Sequence, residues 1–180
     1  MPVLDLPETS RSEPEDSDPP TTIRQPRAED GMRVLDLIER CPPLDVNSAY
    51  CYLLQCSQFA DTCAAAELNG EIAGFISGHR IPNEPQTLFI WQVAVADEAR
   101  GMGLGRKMML DILNREPTDF TTLLATVTPD NDASKAMFQS LADALGTDMG
   151  QSEYFDQKTH FAGAHASENL LTIGPFSVKK

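Results

Sequence analysis

The chain has 180 residues, 41% of them hydrophobic and 23% charged, and its 14 basic side chains against 27 acidic ones leave a net charge of −13. Such a length and balance describe one ordinary globular domain and exclude a collagen, a long coiled coil or wholesale disorder. No apolar run approaches the ~20 residues that cross a bilayer, MPVLDLPETSRSEPED lacks the build of a secretory leader, and the acidity argues against nucleic acid and anionic membranes, which both call for a cationic face.

Residues 1–20 hold five prolines, six acids and one Arg. Their apolar content is too low to offset ordering, so they read as a disordered acidic tail ahead of a single domain over 21–180 that carries the other −8. Thr21–Gln25 can form a strand. The following helix opens near Pro26–Asp30, carries Met32, Val34, Leu35, Leu37 and Ile38 at helical spacing, and stops at Cys41-Pro42-Pro43. Asn47 or Ser48 caps a second helix, Ala49–Ser57, with Leu53 and Leu54 inward. Cys63–Leu68 and Glu71–Ser77 read as strands joined by Asn69-Gly70, a dipeptide suited to a type I′ hairpin. Thr87–Val95, TLFIWQVAV, is β-branched and aromatic throughout and reads as a central strand. A helix over Arg106–Asn114, a strand over Thr121–Thr128 and a helix over Ala133–Leu145, capped by Asp132 with Ala136, Met137, Leu141 and Leu145 inward, come next. Strands near Met149–Asp156 and Asn169–Phe176 complete an α/β fold in which helices cover a mixed sheet. The four cysteines, at 41, 51, 56 and 63, fit no zinc spacing and read as free buried thiols of a reducing, cytoplasmic setting; no metal is expected.

Between the central strand and the next helix stands Arg100-Gly101-Met102-Gly103-Leu104-Gly105, with Arg106 and Lys107 after it. Glycines let backbone N–H groups crowd toward an anion, and a helix start adds positive potential, so phosphate is the expected ligand. The spacing is neither a P-loop nor a dinucleotide fingerprint. The pattern Arg100-x-x-Gly103-x-Gly105 after a long central strand, with Asn131 at the next helix start in TPDNDAS, resembles the acetyl-CoA loop of the GCN5-related N-acetyltransferase (GNAT) family. The resemblance spans residues 21 to about 176 and implies a GNAT fold: a mixed sheet of about six to seven strands flanked by about four helices.

That resemblance implies acetyl-CoA as co-substrate. Val93 and Val95 would grip pantetheine from a splayed bulge, an N–H near Val93 would polarise the thioester, Arg100, Gly101, Gly103, Gly105 and Arg106 would hold the pyrophosphate, and Asn131 would bond the pantetheine arm. It departs at Phe138, seven residues after Asn131, where many members carry a Tyr that protonates the leaving thiolate. Further segments, PPLDVNSAY from Pro42, FIWQVAV from Phe89, TPDN from Thr128, His160-Phe161 and Ile173-Gly174-Pro175, resemble one branch of the family and imply a small cationic amino acid as acceptor and a homodimer. In that branch Asp45, Trp91, His165 and Glu168 would meet the acceptor and Trp91, Tyr50 and Val93 would serve catalysis, with Asp156 beside the late strands as a further acid. Read from the residues alone, Trp91 is core, Asp45 is a helix cap, Tyr50 is half-buried surface and His165 lies on a surface loop. A transferase for another small amine and a silent acyl-CoA sensor stay open.

Overall fold

The computed structural model describes residues 21–115 and 119–177; the expected tail over 1–20 lies outside them. In chain order the strands are β1 (Thr21–Arg24), β2 (Ala64–Leu68), β3 (Glu71–Ile81), β4 (Glu84–Val95), β5 (Thr122–Val127), β6 (Met149–Phe155) and β7 (Glu168–Ile173). The longer helices are α1 (Gly31–Glu39), α2 (Ala49–Gln55), α3 (Leu104–Asn114) and α4 (Asp132–Leu145). The seven strands form one sheet in the order β1-β2-β3-β4-β5-β7-β6, antiparallel except for the parallel pair β4 and β5.

Most elements form where the patterning placed them. Asn69 and Gly70 take φ of 53° and 84°, the positive pair a type I′ turn requires. The second hairpin runs four residues further than its apolar content suggested. β3 extends through Gly78-His79-Arg80 to Ile81, turns at Pro82-Asn83, and β4 starts at Glu84, since ladder bonds with a long partner hold polar residues in extended form. In α2 the buried residues are Tyr52 and Gln55, while Leu53 is 36% exposed, which corrects the inward placement of Leu53 and Leu54; α2 rides on α1, with Leu53 against Gly31, instead of lying on the sheet. In α4 Phe138 is buried and Ala136 exposed, so the inward stripe sits slightly rotated from the expected one. Ser48 caps α2 by accepting from the Cys51 N–H, and Asn131, rather than Asp132, caps α4 by accepting from the Ser134 N–H at 3.0 Å.

The core joins α1, α3 and α4 to the sheet through Leu37, Ile38, Phe75, Ile76, Leu88, Met108, Met109, Ile112 and Leu141. Burial of these side chains is the main stabilising force. β1 is strapped to α1 and β2 by Arg24, whose guanidinium donates to both Asp30 carboxylate oxygens at 2.7 and 2.9 Å and to Glu67 at 2.6 Å. All four cysteines are free, three of them buried, and burial pushes the thiols of Cys56 and Cys63 up to about 12.

Candidate active site

The sheet opens between its two parallel strands. β4 and β5 pair from Thr87 opposite Thr122 to Ile90 opposite Ala125 and no further, while β4 continues to Val95 and β5 to Val127. The divergence starts at an irregularity. On β3, Ser77 faces Gln92 but its neighbour Gly78 faces Ile90, so Trp91 is the extra residue of a β-bulge. Gly78 permits it: a Cβ there would stand 2.8 Å from the Phe89 carbonyl oxygen and 3.0 Å from that of Thr62.

Beyond the bulge the backbone has a determined polarity. The Ala96 N–H donates to the Ala73 carbonyl, and peptide directions alternate along a strand, so Val93 and Val95 turn their N–H and C=O groups away from β3 toward the opening. The Cys41 thiol donates to the Val95 carbonyl at 3.6 Å. Trp91 is 53% exposed, which overturns its reading as core; the bulge lifts the indole out of the packed face.

β4 leads into a short turn, Asp97–Ala99, and the glycine loop. Gly101 and Gly103 have φ of 81° and 68°, and a Cβ on either would meet nothing within 4 Å, so the loop presents bare backbone to open space. Gly103 is the N-cap of α3, which starts two residues before the expected Arg106. The first-turn N–H groups of α3 have no acceptor within the helix, and its dipole favours an anion there. Gly105 serves packing: its Cβ would stand 2.3 Å from the Met137 sulfur, so glycine lets α3 and α4 close up beside Val93. Arg100 is exposed and pairs with Asp97 at 2.8 Å, while Arg106 donates to the Ser140 hydroxyl on α4. With the Asn131 Oδ1 engaged as a cap, its amino group is the half left to donate outward.

On the opposite face of β4 the loop between α1 and α2 lies over the bulge. Gln92 Nε2 donates to the Asp45 carbonyl at 2.8 Å, and this bond brings exposed Asp45 to the strand that carries Trp91. Asp45 caps no helix. Tyr50 is 68% exposed in the first turn of α2. Glu168 and Asp156 line a groove of about 760 Å³ with Pro129, Glu153 and Tyr154, on the far side of β5. Asp156 accepts from the N–H groups of Thr159 and Lys158, and these bonds hold its carboxyl below the usual range; it is occupied as a turn cap. His165 sets Nδ1 at 2.8 Å from the Ala166 carbonyl, so that nitrogen is the donor of this bond. The structure thus brings Asp45, Trp91, Val93 and Val95 to one strand end, with the glycine loop and Asn131 at the helix starts that follow β4 and β5. It sets His165 and Glu168 at the β7 side. Phe138 is 3% exposed in the core, so no proton donor stands there. Sequence reasoning missed Gln92, which reads as an ordinary polar residue until the bond to Asp45 is seen. No group of three His, Cys, Asp or Glu side chains able to hold a metal exists among the described residues, and no helix there is long and apolar enough to cross a membrane.

Comparison with known proteins places these features in context. Residues 32–142 match the model of the acetyltransferase (GNAT) family. The chain is 49% identical over 159 residues to the L-2,4-diaminobutyric acid acetyltransferase of Methylotuvimicrobium alcaliphilum, covering 88% of this chain and 92% of that one. It is 46% identical over 159 residues to the protein of the same name from Halomonas elongata, covering 87% and 82%. Among solved structures it superposes with a TM-score of 0.84 and 37% identity on the diaminobutyrate acetyltransferase EctA of Paenibacillus lautus, determined in complex with its substrate L-2,4-diaminobutyric acid and coenzyme A, covering 91% of this chain and 99% of that one.

Proposed function

The chain belongs to the GNAT family of acetyltransferases, and on that premise we propose that it moves the acetyl group of acetyl-CoA to the γ-amine of L-2,4-diaminobutyrate, giving Nγ-acetyl-diaminobutyrate on the route to the osmolyte ectoine. The observation that carries the reading is the opening between β4 and β5, where an unpaired strand edge, an anion-ready helix start and the Asp45 loop converge.

Acetyl-CoA supplies the activated acyl group and a thiol that leaves readily, with a pKa near ~8.5. Val93 and Val95 offer N–H and C=O groups to pantetheine as a neighbouring strand would. The α3 first turn, the bare backbone of Gly101 and Gly103, and Arg100 take the pyrophosphate; Gly105 and Arg106 keep that turn packed on α4. Asn131 donates its amide to the pantetheine arm. The Val93 N–H, fixed before substrate arrives, stabilises charge that develops on the thioester oxygen. Asp45 and Glu168 answer the ammonium groups of the acceptor, and Trp91 covers it with an aromatic face. In this reading His165 takes the proton from the γ-ammonium, with Tyr50 as a relay to solvent.

Residues 21–180 act as one catalytic domain in this reading, in the cytoplasm, where the four free thiols stay reduced. The protein works as a homodimer; the exposed edge strand β6 and its groove are the surface that a second copy would cover.

The test is free-thiol release from acetyl-CoA with diaminobutyrate, ornithine and lysine, together with product regiochemistry by NMR. A closed pocket separates such homologues by roughly 10–200-fold per methylene. A mainly α-acetylated product, or equal rates on the three amines, refutes the substrate and leaves the family.

A further inference from the structure

Two side chains beside the bulge have unfinished hydrogen bonding. Gln92 is 8% exposed and gives Nε2 to the Asp45 carbonyl, but its Oε1 has no partner. Directly across the ladder Ser77 is 1% exposed, and its Oγ has none either. A buried polar atom without a partner is a cost, and an apolar side chain of the same size would avoid it. Stability is therefore a poor reason for a glutamine at this place.

What Gln92 does supply is a fixed distance. The segment between α1 and α2 is irregular. Its early part is tied locally by the Leu44 N–H to the Cys41 carbonyl, and its late part by the Asn47 N–H to the hydroxyl of buried Tyr52. Gln92 ties its middle, at Asp45, to β4. The residue before Gln92 is the bulge, Trp91, and the residue after it is Val93, whose N–H faces the opening.

We propose that Gln92 is a positioning residue that sets the separation between the Asp45 carboxylate and the thioester-binding backbone at Val93. This rests on the reading above, in which the acceptor lies between those two groups. Attack requires the amine within ~3–3.5 Å of the acyl carbon, and a displacement of about 1 Å can cost on the order of 100-fold in rate. Without the Gln92 bond the middle of the loop has no tie to β4 to hold the Asp45 carboxylate at its distance from Val93. The binding of acetyl-CoA depends instead on the β4 backbone at Val93 and Val95 and on the first turn of α3, which the side-chain bond of Gln92 does not engage.

Gln92→Met keeps the size of the side chain and removes both the donor and the orphan oxygen. It should melt at or above the wild-type temperature. The kcat/KM for the acceptor should fall at least ~10-fold while the KM for acetyl-CoA stays within about twofold. Gln92→Leu, apolar but of different shape, should show the same split. In an Asp45→Asn background Gln92→Met should cost little more, because the carboxylate it aims is already gone. A wild-type kcat/KM in the folded variants, an equal loss in the acetyl-CoA KM, full additivity with Asp45→Asn, or unfolding of both apolar variants would each overturn the proposal. If the wild type fails on diaminobutyrate, the substrate reading falls by itself, and the same variants are measured on the amine it does acetylate.

Discussion

Gly103 offers the sharpest separation between binding and folding at this site. It sits at φ 68° and ψ 22° as the N-cap of α3, with open space around the position a Cβ would take. Valine there meets no neighbour, but the left-handed conformation costs an L-residue about 1–2 kcal/mol. For a chain of this size each kcal/mol lowers Tm by roughly 2–4 °C, so Gly103→Val should lose about 2–8 °C and stay folded. Its branched side chain also projects into the open space at the start of α3, which the pyrophosphate fills in the proposed reading. Losing one charge-assisted contact costs roughly 1.5–3 kcal/mol, which is about a 10- to 150-fold rise in the acetyl-CoA KM. Thiol-release kinetics at saturating acceptor read this directly, and the acceptor KM should move far less. Gly105→Ala is the control of opposite kind: its Cβ would meet the Met137 thioether, the flexible end of a half-buried side chain that can turn aside, so the acetyl-CoA KM should hold and any change should appear in Tm. An unaltered acetyl-CoA KM in folded Gly103→Val would refute the assignment of this loop to the pyrophosphate.

Asp45→Asn should lower kcat/KM for diaminobutyrate by roughly 10-fold or more with acetyl-CoA binding intact, checked by steady-state kinetics and CoA titration. Gly78→Ala should destabilise by about 1–3 kcal/mol in urea unfolding, since its Cβ would press on the Phe89 and Thr62 carbonyl oxygens, which belong to backbone and yield little. Asp30 is held below the usual carboxylate range chiefly by the hydrogen bonds from Arg24, so its contribution is full above the unfolded value near ~3.9 and lost as pH falls through the folded one; Asp30→Asn should flatten that acid limb of the stability curve and cost about 3 kcal/mol at neutral pH. Cys56 and Cys63, with thiols pushed up to about 12, should resist alkylation at pH 8 in the folded protein while half-buried Cys51 reacts first, as mass spectrometry of time points would show.

The fold was legible wherever periodicity or a glycine carried the information. Asn69-Gly70, the TLFIWQVAV strand and the glycine loop all did so, and element order followed. The β3–β4 extension was hidden because Gly78-His79-Arg80 and Glu84-Pro85-Gln86 have no strand pattern of their own; pairing alone makes them extended. The inward face of α2 was hidden for a related reason: α2 packs on α1, so its burial follows a helix contact that composition does not encode. Trp91 shows the same limit at the site. Local composition says core, and only the register shift opposite Ser77 and Gly78 turns it outward. Phe138 was legible as a missing tyrosine, but its burial in the core was not.

The two halves of the site are built of different material, and this explains which half the sequence exposed. In the proposed reading the co-substrate half is backbone: the free edge at Val93 and Val95 and the first turn of α3. Backbone can bind in this way only if glycine and a bulge clear the approach, so the requirement leaves a mark in fixed spacing. In the proposed reading the acceptor half is side chains far apart in sequence, with Asp45 on a loop tied to β4 by Gln92 and Glu168 at the start of β7. Such a half carries no local spacing, yet in that reading it sets which amine is accepted. A change of acceptor therefore need not disturb the acetyl-CoA loop, and the residues to vary for a longer diamine are those that hold the Asp45 loop against the bulge.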